Sequence, residues 1–258
     1  MIGFFLKKAF FDGWDNLIGM VLQNLIYIVL VGCFLGSFYL LESSTLLFIA
    51  IDVVILFLSC LFFGGTSGVV FGYSNYEKET WEPFGRCLRR NIKHSILFFF
   101  ISFFLFFIVT MAIPFYASMS NMIGTIIIVV LFWVLVVFLF ALPYYFPLMN
   151  LLPGDRPLKT LKKCFIILGD NIGFSFFFFF YNLIIVAFSV FTMGLIPGVC
   201  GYMLASQDAM KLLMFKYDYL ESHPDANRRK LPWSELLYDE KEKVGPRSLK
   251  SMIFPWKY

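Results

Sequence analysis

The sequence contains few of the residue patterns that identify enzymes or metal proteins. Its cysteines are Cys33, Cys60, Cys87, Cys164 and Cys200. They form neither a CxxC motif nor a cluster with histidine, and the two histidines, His94 and His223, are isolated. No P-loop, GxSxG, paired-acid or Gly-rich dinucleotide motif is present. We therefore predict that the protein is not an enzyme and has no catalytic residues, metal or cofactor.

Charge is also scarce. Charged residues make up 15% of the chain and hydrophobic residues 60%, whereas soluble domains carry about 25% charged residues. The apolar residues are gathered into runs of about twenty or more, which is typical of membrane-spanning helices. The N-terminus lacks the A-x-A-like site of a cleavable signal peptide, so we expect the first span to remain in the mature protein.

These apolar runs predict an all-α, polytopic helical membrane protein with six transmembrane helices. The predicted spans are residues 16–41, 45–73, 94–116, 122–150, 171–193 and 199–216. They pair into three hairpins, each preceded by an amphipathic cytoplasmic helix. Residues 1–217 form the membrane domain, and residues 218–258 form a charged cytoplasmic tail.

The distribution of basic residues predicts the orientation. None of the 21 lysines and arginines lies in the turns near residues 42, 118 and 196. The positive-inside rule then places these turns outside and both termini in the cytoplasm, with the protein in the cell (inner) membrane. Basic residues that flank spans serve orientation and contact with lipid headgroups, so we expect the lipid bilayer, and no nucleic acid, as a partner.

An internal repeat underlies this arrangement. Leu6 to Gly19 reads LKKAFFDGWDNLIG, and Leu161 to Phe174 reads LKKCFIILGDNIGF. A looser copy is Phe84 to Ile96, FGRCLRRNIKHSI. The three copies are evenly spaced along the chain. This spacing divides the membrane domain into repeats at about residues 1–73, 74–150 and 151–217.

Three residues take matching positions where the amphipathic helices meet the spans: Asn16, His94 and Asn171. Asparagine is a good helix N-cap and histidine a poorer one. We expect these side chains to cap the helices that follow.

Three places in the chain carry small residues, a basic segment and a proline-marked span: Gly64–Gly68 (GGTSG), Phe84–Ser95, and Pro143–Leu148 followed by Leu158–Asn171. In these places the chain resembles the YesL-like family of bacterial six-span membrane proteins, whose biochemical function is unknown. The resemblance covers about residues 1–217 and leaves the tail unexplained. It implies a transport-associated role, because members are often associated with carbohydrate uptake systems, and it carries over no catalytic residues.

Charged and polar residues inside spans are the candidate intramembrane polar or ion site. A charge at the centre of a span costs about 2.5–3.5 kcal/mol on insertion scales, so such residues are often functional. Asp52 lies in the second span, and Gln207, Asp208 and Lys211 lie in the sixth. Asp52 is suited either to bind a cation or proton or to bond a neighbouring helix. Asp208 and Lys211 share a helix face, where they are suited to act as a transport gate or to neutralise each other.

Three further polar residues lie within predicted spans: Gln23 and Asn24 in the first and Asn182 in the fifth. Amide side chains in spans commonly bond neighbouring helices, at about 0.6–2 kcal/mol each. We predict interhelical contacts for all three.

Two functions fit these features. The first is a non-enzymatic accessory or assembly partner of a transport or other membrane complex, with a protein partner at the cytoplasmic face or tail. The second is a small-solute transporter or channel with a polar path through Asp52 and Asp208. An enzyme acting on lipid-linked substrates lacks a catalytic constellation. The sequence leaves the oligomeric state open.

Overall fold

The computed structural model describes residues 1–41, 44–119, 121–228 and 231–247. It is all-α, as predicted: the described residues are mostly helical and none forms a strand. The turn predicted near residue 42 falls largely outside the described residues, and so does the end of the tail from residue 248.

Thirteen helices are used below to place the candidate site. They are α1 (Ile2–Asp15), α2 (Leu17–Ser37), α3 (Thr45–Ser74), α4 (Trp81–Arg90), α5 (Ile92–Phe107), α6 (Ile113–Ser118), α7 (Met122–Ala141), α8 (Tyr145–Leu151), α9 (Pro157–Asp170), α10 (Ile172–Phe191), α11 (Gly198–Ser222), α12 (Trp233–Leu236) and α13 (Tyr238–Val244). A π-helical segment joins α5 to α6, so that these two helices run on as one.

Five helical segments of the described chain are long and apolar enough to span a membrane. They are Leu17–Leu40, Thr45–Ser74, Ile92–Ser118, Met122–Leu151 and Ile172–Phe191. They coincide with the first five predicted spans to within a few residues. The sixth predicted span corresponds to α11, which is 25 residues long but is too polar to be one of the five.

The polarity of α11 follows from its place in the bundle. This helix packs against α1, α2, α3, α8 and α10. Most of its side chains are buried, including Gln207 and Asp208. A side chain that faces other helices avoids the cost of contact with lipid and can be polar where it finds partners. The surrounding helices carry the apolar outer surface instead, and their exposed Phe, Ile and Val side chains are suited to a lipid environment.

The amphipathic helices α1, α4 and α9 each lead directly into a long apolar helix. The junction residues are Asn16, Asn91 and Asn171, which leave α-helical geometry for one residue each. The prediction that placed His94 at the second junction is therefore wrong by three residues. The second copy matches the other two in its basic residues, but its amphipathic helix ends three residues earlier than that match implies.

The predicted capping role is also wrong. The side chains of Asn16 and Asn171 cap no following helix. Each instead donates from Nδ2 to the backbone carbonyl four residues before it, at 2.9 and 3.0 Å. Asn91 donates from Nδ2 to the carbonyl of Gly64 in α3. The junction side chains therefore satisfy carbonyl groups, two of which lie at the ends of the amphipathic helices.

The small residues near the end of α3 allow a close approach of α4 and α5. A Cβ atom on Gly68 would clash with the side chain of Cys87, and one on Gly64 would clash with Ser95. Small residues commonly let helices approach closely in membranes. The end of α3 is therefore held closely against α4 and α5.

Candidate functional site

A group of buried ionisable residues lies where α1, the end of α3, α11 and α13 meet. We call it the buried ionic cluster, and its members are Lys8, Asp12, Asp208, Lys211 and Glu240. The side chains of Lys8 and Asp208 are fully buried, and that of Lys211, the most exposed of the five, is only 14% exposed. Burying charges is costly unless they pair, so the geometry of the pairs decides whether the cluster is tolerated.

The first helix supplies two of the charges. Lys8 and Asp12 lie four residues apart, on one face of α1, and Lys8 Nζ is 2.6 Å from Asp12 Oδ2. The same face carries the buried residues Phe5, Ala9 and Phe11. The sequence predicts only that this helix is amphipathic and cytoplasmic. In the structure Lys8 and Asp12 point into the bundle, because α1 packs on α11.

Two lysines converge on the last carbonyl of α3. Lys8 and Lys211 each donate from Nζ to the backbone oxygen of Ser74, at 2.9 Å. Lys211 also donates to Asn75 Oδ1 at 2.9 Å. The carbonyls at a helix C-terminus have no partner within the helix and carry partial negative charge, so cations are favourable there.

Asp208 and Lys211 do not form the predicted pair with each other. Asp208 Oδ1 accepts a hydrogen bond from Ser74 Oγ at 2.7 Å and lies 3.7 Å from Lys8 Nζ. Lys211 Nζ instead lies 3.2 Å from Glu240 Oε1. The α3 terminus and α13 therefore supply partners that the spacing of residues on one helix did not reveal.

Glu240 brings the tail into the cluster. Its Oε2 lies 3.4 Å from Lys8 Nζ and accepts a hydrogen bond from the Tyr76 hydroxyl at 2.9 Å. Nearby, Lys7 Nζ donates to the Gly245 carbonyl at 2.7 Å. The segment that follows α11 thus folds back onto α1 and the end of α3.

The electrostatics of the tail contact favour ion pairs. Burial by itself raises the pKa of Glu240, but the charges of Lys8 and Lys211 outweigh it, and the pKa lies below its usual value. Burial alone would lower the pKa of Lys8, yet the nearby Asp208 and Asp12 carboxylates raise it above its usual value. Both groups are therefore held in their charged forms.

Next to the cluster lies a layer of buried amides and hydroxyls. Tyr27 donates to Thr66 Oγ1 at 2.8 Å, and Thr66 donates to Gln23 Oε1 at 3.1 Å. Asn150 Nδ2 contacts Gln207 Oε1 at 3.4 Å. Gln23 thus joins α2 to α3, and Gln207 joins α11 to α8.

Asn24 forms hydrogen bonds with the segment that leads into α11. Its Nδ2 donates to the carbonyls of Leu195 and Pro197 at 2.9 and 2.8 Å, and its Oδ1 accepts from the Cys200 backbone N–H at 2.8 Å. Asn182 is also buried, but its Oδ1 has no hydrogen-bond partner among the described residues. Asn24 therefore uses both its amide nitrogen and its amide oxygen in hydrogen bonds, whereas the amide oxygen of Asn182 has no such partner in the described chain.

Asp52 is separate from all of these groups. Its Oδ1 accepts a hydrogen bond from Ser37 Oγ at 2.7 Å, which links α2 to α3 near their other ends. Asp52 and Ser74 are 22 residues apart on α3, or about 33 Å at 1.5 Å per residue. Because Ser74 bonds Asp208, the structure does not bring the two predicted aspartates together.

A small cavity of about 70 Å³ lies between α3, α5, α8 and α11. Its lining is mainly apolar and includes Phe63, Phe98 and Phe146, with Gln207 among its few polar residues. None of the five residues of the buried ionic cluster lines this cavity. Burial and mutual pairing, rather than an open pocket, are what characterise the cluster.

Sequence reasoning missed Lys8, Asp12 and Glu240 as members of a site. The spacing of Lys8 and Asp12 on an amphipathic helix was a usable signal, whereas nothing local distinguishes Glu240 from the other tail acids.

In the described part of the chain, no three His, Cys, Asp or Glu side chains are grouped to hold a metal ion. No protein-family model, curated protein or solved structure matches the chain.

Proposed function

We propose that the chain is a non-enzymatic accessory or assembly partner of a transport or other complex in the cell (inner) membrane. In this proposal α11 is the sixth span, and the buried ionic cluster lies at the cytoplasmic end of the bundle with both termini. The resemblance to the YesL-like family agrees with such a transport-associated role.

The docked tail is the observation that carries the proposal. Glu240 is buried between Lys8 and Lys211, so α13 packs against the membrane bundle instead of extending away from it. At the edge of this contact, Arg247 Nη1 lies 2.8 Å from Asp15 Oδ2. A fixed tail helix adds a shaped polar surface to a bundle whose long helices have mainly apolar outer surfaces, and such a surface is what a protein partner needs for specific recognition.

The outer side of α13 offers an anchor for such a partner. Tyr238 begins this helix and is 66% exposed, next to the charged and exposed Lys241 and Glu242. Tyrosines within a polar surround are frequent anchors of protein interfaces. The proposed partner surface is therefore the exposed side of α13.

The arrangement of polar groups favours this role over transport. A transport path through Asp52 and Asp208 has to cross about 33 Å along α3. Between Asp52 and Thr66, α3 is mostly apolar, and the buried polar layer begins only at Thr66. The buried charges of the cluster also pair with one another rather than line the cavity.

The proposal is tested by purifying the tagged protein from its native membrane in a gentle detergent. We expect the full chain to bring down a stoichiometric partner, and a Tyr238→Ala variant to lose it while keeping its own folded yield. Tyr39→Ala is the matched control: Tyr39 is 88% exposed, but it lies at the opposite end of the bundle.

Two results would contradict the proposal. One is a protein that is isolated alone at all detergent concentrations that preserve its fold. The other is a partner retained equally by Tyr238→Ala and by a chain that ends at residue 232. Solute flux in vesicles that is abolished by both Asp52→Asn and Asp208→Asn would instead favour the transporter.

A further inference from the structure

The buried ionic cluster contains more acids than bases. Asp12, Asp208 and Glu240 supply three carboxylates, whereas Lys8 and Lys211 supply two ammonium groups. A buried group of charges is stable only when the charges balance closely. The cluster therefore lacks one positive charge.

The other charged or titratable groups around the cluster do not remove this deficit. They are Lys243 on α13, Tyr76 after α3 and Tyr181 on α10. Lys243 contacts Glu240 at 3.3 Å, but its side chain is 56% exposed, so water screens its charge. The two tyrosines are neutral at ordinary pH.

The shared approach of Asp12 and Asp208 to Lys8 shows where the missing positive charge fits. Lys8 Nζ lies 2.6 Å from Asp12 Oδ2 and 3.7 Å from Asp208 Oδ1, so one ammonium group faces two buried carboxyl groups. Asp208 Oδ1 is occupied by the Ser74 hydroxyl, while Asp208 Oδ2 is buried without a donor among the described residues. Two ionised carboxylates that share one buried cation repel each other, whereas a single proton removes this repulsion and lets one carboxyl group donate a hydrogen bond.

We propose that Asp12 and Asp208 form a proton-binding site, in which one shared proton neutralises the buried ionic cluster and holds the tail helix α13 in its docked position. The proton comes from and returns to water, and no other bond forms or breaks. The site goes beyond the proposed assembly role and does not depend on it.

The titration of Asp12 agrees with this geometry. Burial and the charge of Asp208 raise the pKa of Asp12 to about 8, against the opposing effect of Lys8. The folded protein therefore holds a proton that the unfolded chain releases near the ordinary pKa of an aspartate, about 3.9. The stability that this proton contributes is complete below the lower value and is lost as the pH rises through the higher one.

Loss of the proton acts on the tail because α13 is the least anchored member of the cluster. Asp12 and Asp208 belong to helices that pack within the bundle, whereas Glu240 belongs to a helix of seven residues. When Asp12 ionises, Glu240 must share Lys8 with two charged competitors. Ionisation of the pair therefore weakens the hold on α13 before it disturbs the bundle.

Infrared difference spectroscopy of the full chain in detergent tests the site directly, because a protonated carboxyl group has its own carbonyl stretch. We expect one such buried band at about pH 7, and we expect it to disappear as the pH rises to about 9. Asp12→Asn and Asp208→Asn should each abolish this titration. Asp15→Asn, on the same helix but in a partly exposed pair with Arg247, should keep it.

Ser74→Ala provides a second variant that should fold, since it removes a single hydroxyl. This hydroxyl stabilises the charged form of Asp208, so its loss should move the infrared titration to higher pH. Absence of the band in the unmodified chain, its persistence in both Asn variants, or an unchanged midpoint in Ser74→Ala would each overturn the proposal.

Hydrogen exchange tests the effect on the tail. After correction for the intrinsic rate, amides of residues 238–244 should exchange at least about tenfold faster at about pH 9 than at about pH 7. The Asp12→Asn side chain resembles a protonated aspartate. In this variant the amide exchange rates should stay slow at both pH values. Equal pH dependence in both proteins would overturn the proposed link. These readouts need no partner, so their outcome is independent of the pull-down that tests the assembly role.

Discussion

Lys8 and Asp208 are 200 residues apart in sequence, yet their charged atoms are 3.7 Å apart and their side chains are fully buried. Lys8 comes from the first amphipathic helix and Asp208 from the most buried long helix. Their contact joins the N-terminal helix to the last long helix of the bundle. Glu240 then attaches the tail to the same lysine.

Removal of the Lys8 charge should destabilise the protein strongly. Lys8→Met leaves Asp12 and Asp208 buried without their common cation, and breaking a buried ion pair from one side costs about 3–5 kcal/mol. The matched control is Lys163→Met, at the equivalent repeat position, where the lysine is partly exposed and pairs with Asp155. We expect the control to lose about 1 kcal/mol or less. Thermal unfolding in detergent measures both, and a loss for Lys8→Met as small as that expected for the control would contradict the prediction.

The close approach of α3 and α4 should be sensitive to side-chain size. Gly68→Leu forces a side chain into the space of Cys87, and overpacking of this kind costs about 1–3 kcal/mol. Gly32→Leu is the control, because a Cβ on Gly32 meets nothing within 4 Å. The yield of folded protein and the thermal midpoint should fall only for the first variant. A neutral Gly68→Leu would mean that α4 can move away from α3 at little cost.

The two buried asparagines should respond differently to the same change. Asn24→Leu leaves the Cys200 N–H and two backbone carbonyls without their partner, and each buried unsatisfied group costs about 1–3 kcal/mol. Asn182→Leu removes an oxygen that has no partner within the described chain, so we expect little change or a gain. Chemical or thermal unfolding of the two variants in one detergent gives the comparison, and the reverse order of stabilities would contradict it.

The hold on the tail should depend on Glu240. Glu240→Gln removes the charge that pairs with Lys8 and Lys211. We expect hydrogen exchange in α13 to rise by at least about tenfold, the factor that corresponds to 1.4 kcal/mol. Glu242→Gln, two residues along the same helix and exposed, is the control. If both variants exchange alike, the anchor of the tail lies elsewhere.

Much of the architecture was predictable because lipid imposes simple rules on sequence. An apolar run of twenty residues in a membrane has to be helical, since its backbone groups find no other partners there. This rule predicted helices α2, α3, α7 and α10 and the continuous α5–α6. Repetition of the LKK and Asp-Asn pattern likewise placed α1 and α9 before α2 and α10.

The site was only partly predictable, because its members come from distant segments. Asp208 and Lys211 drew attention as charges in a predicted span, but their partners are Ser74, Lys8 and Glu240. No spacing rule links a lysine in the first helix to a glutamate in the tail. Asp52 also lies in a predicted span, yet the fold places it about 33 Å along α3 from Ser74, the residue that bonds Asp208.

The sequence by itself therefore determined the helices and which of them are apolar, because these depend on local composition and period. Only the tertiary structure decided that α11 is covered by its neighbours, that the charged face of α1 points inward, and that α13 docks on it. The physical reason is that a buried charge is tolerated only through its partners. Those partners are chosen by packing between distant segments, which a linear pattern does not record.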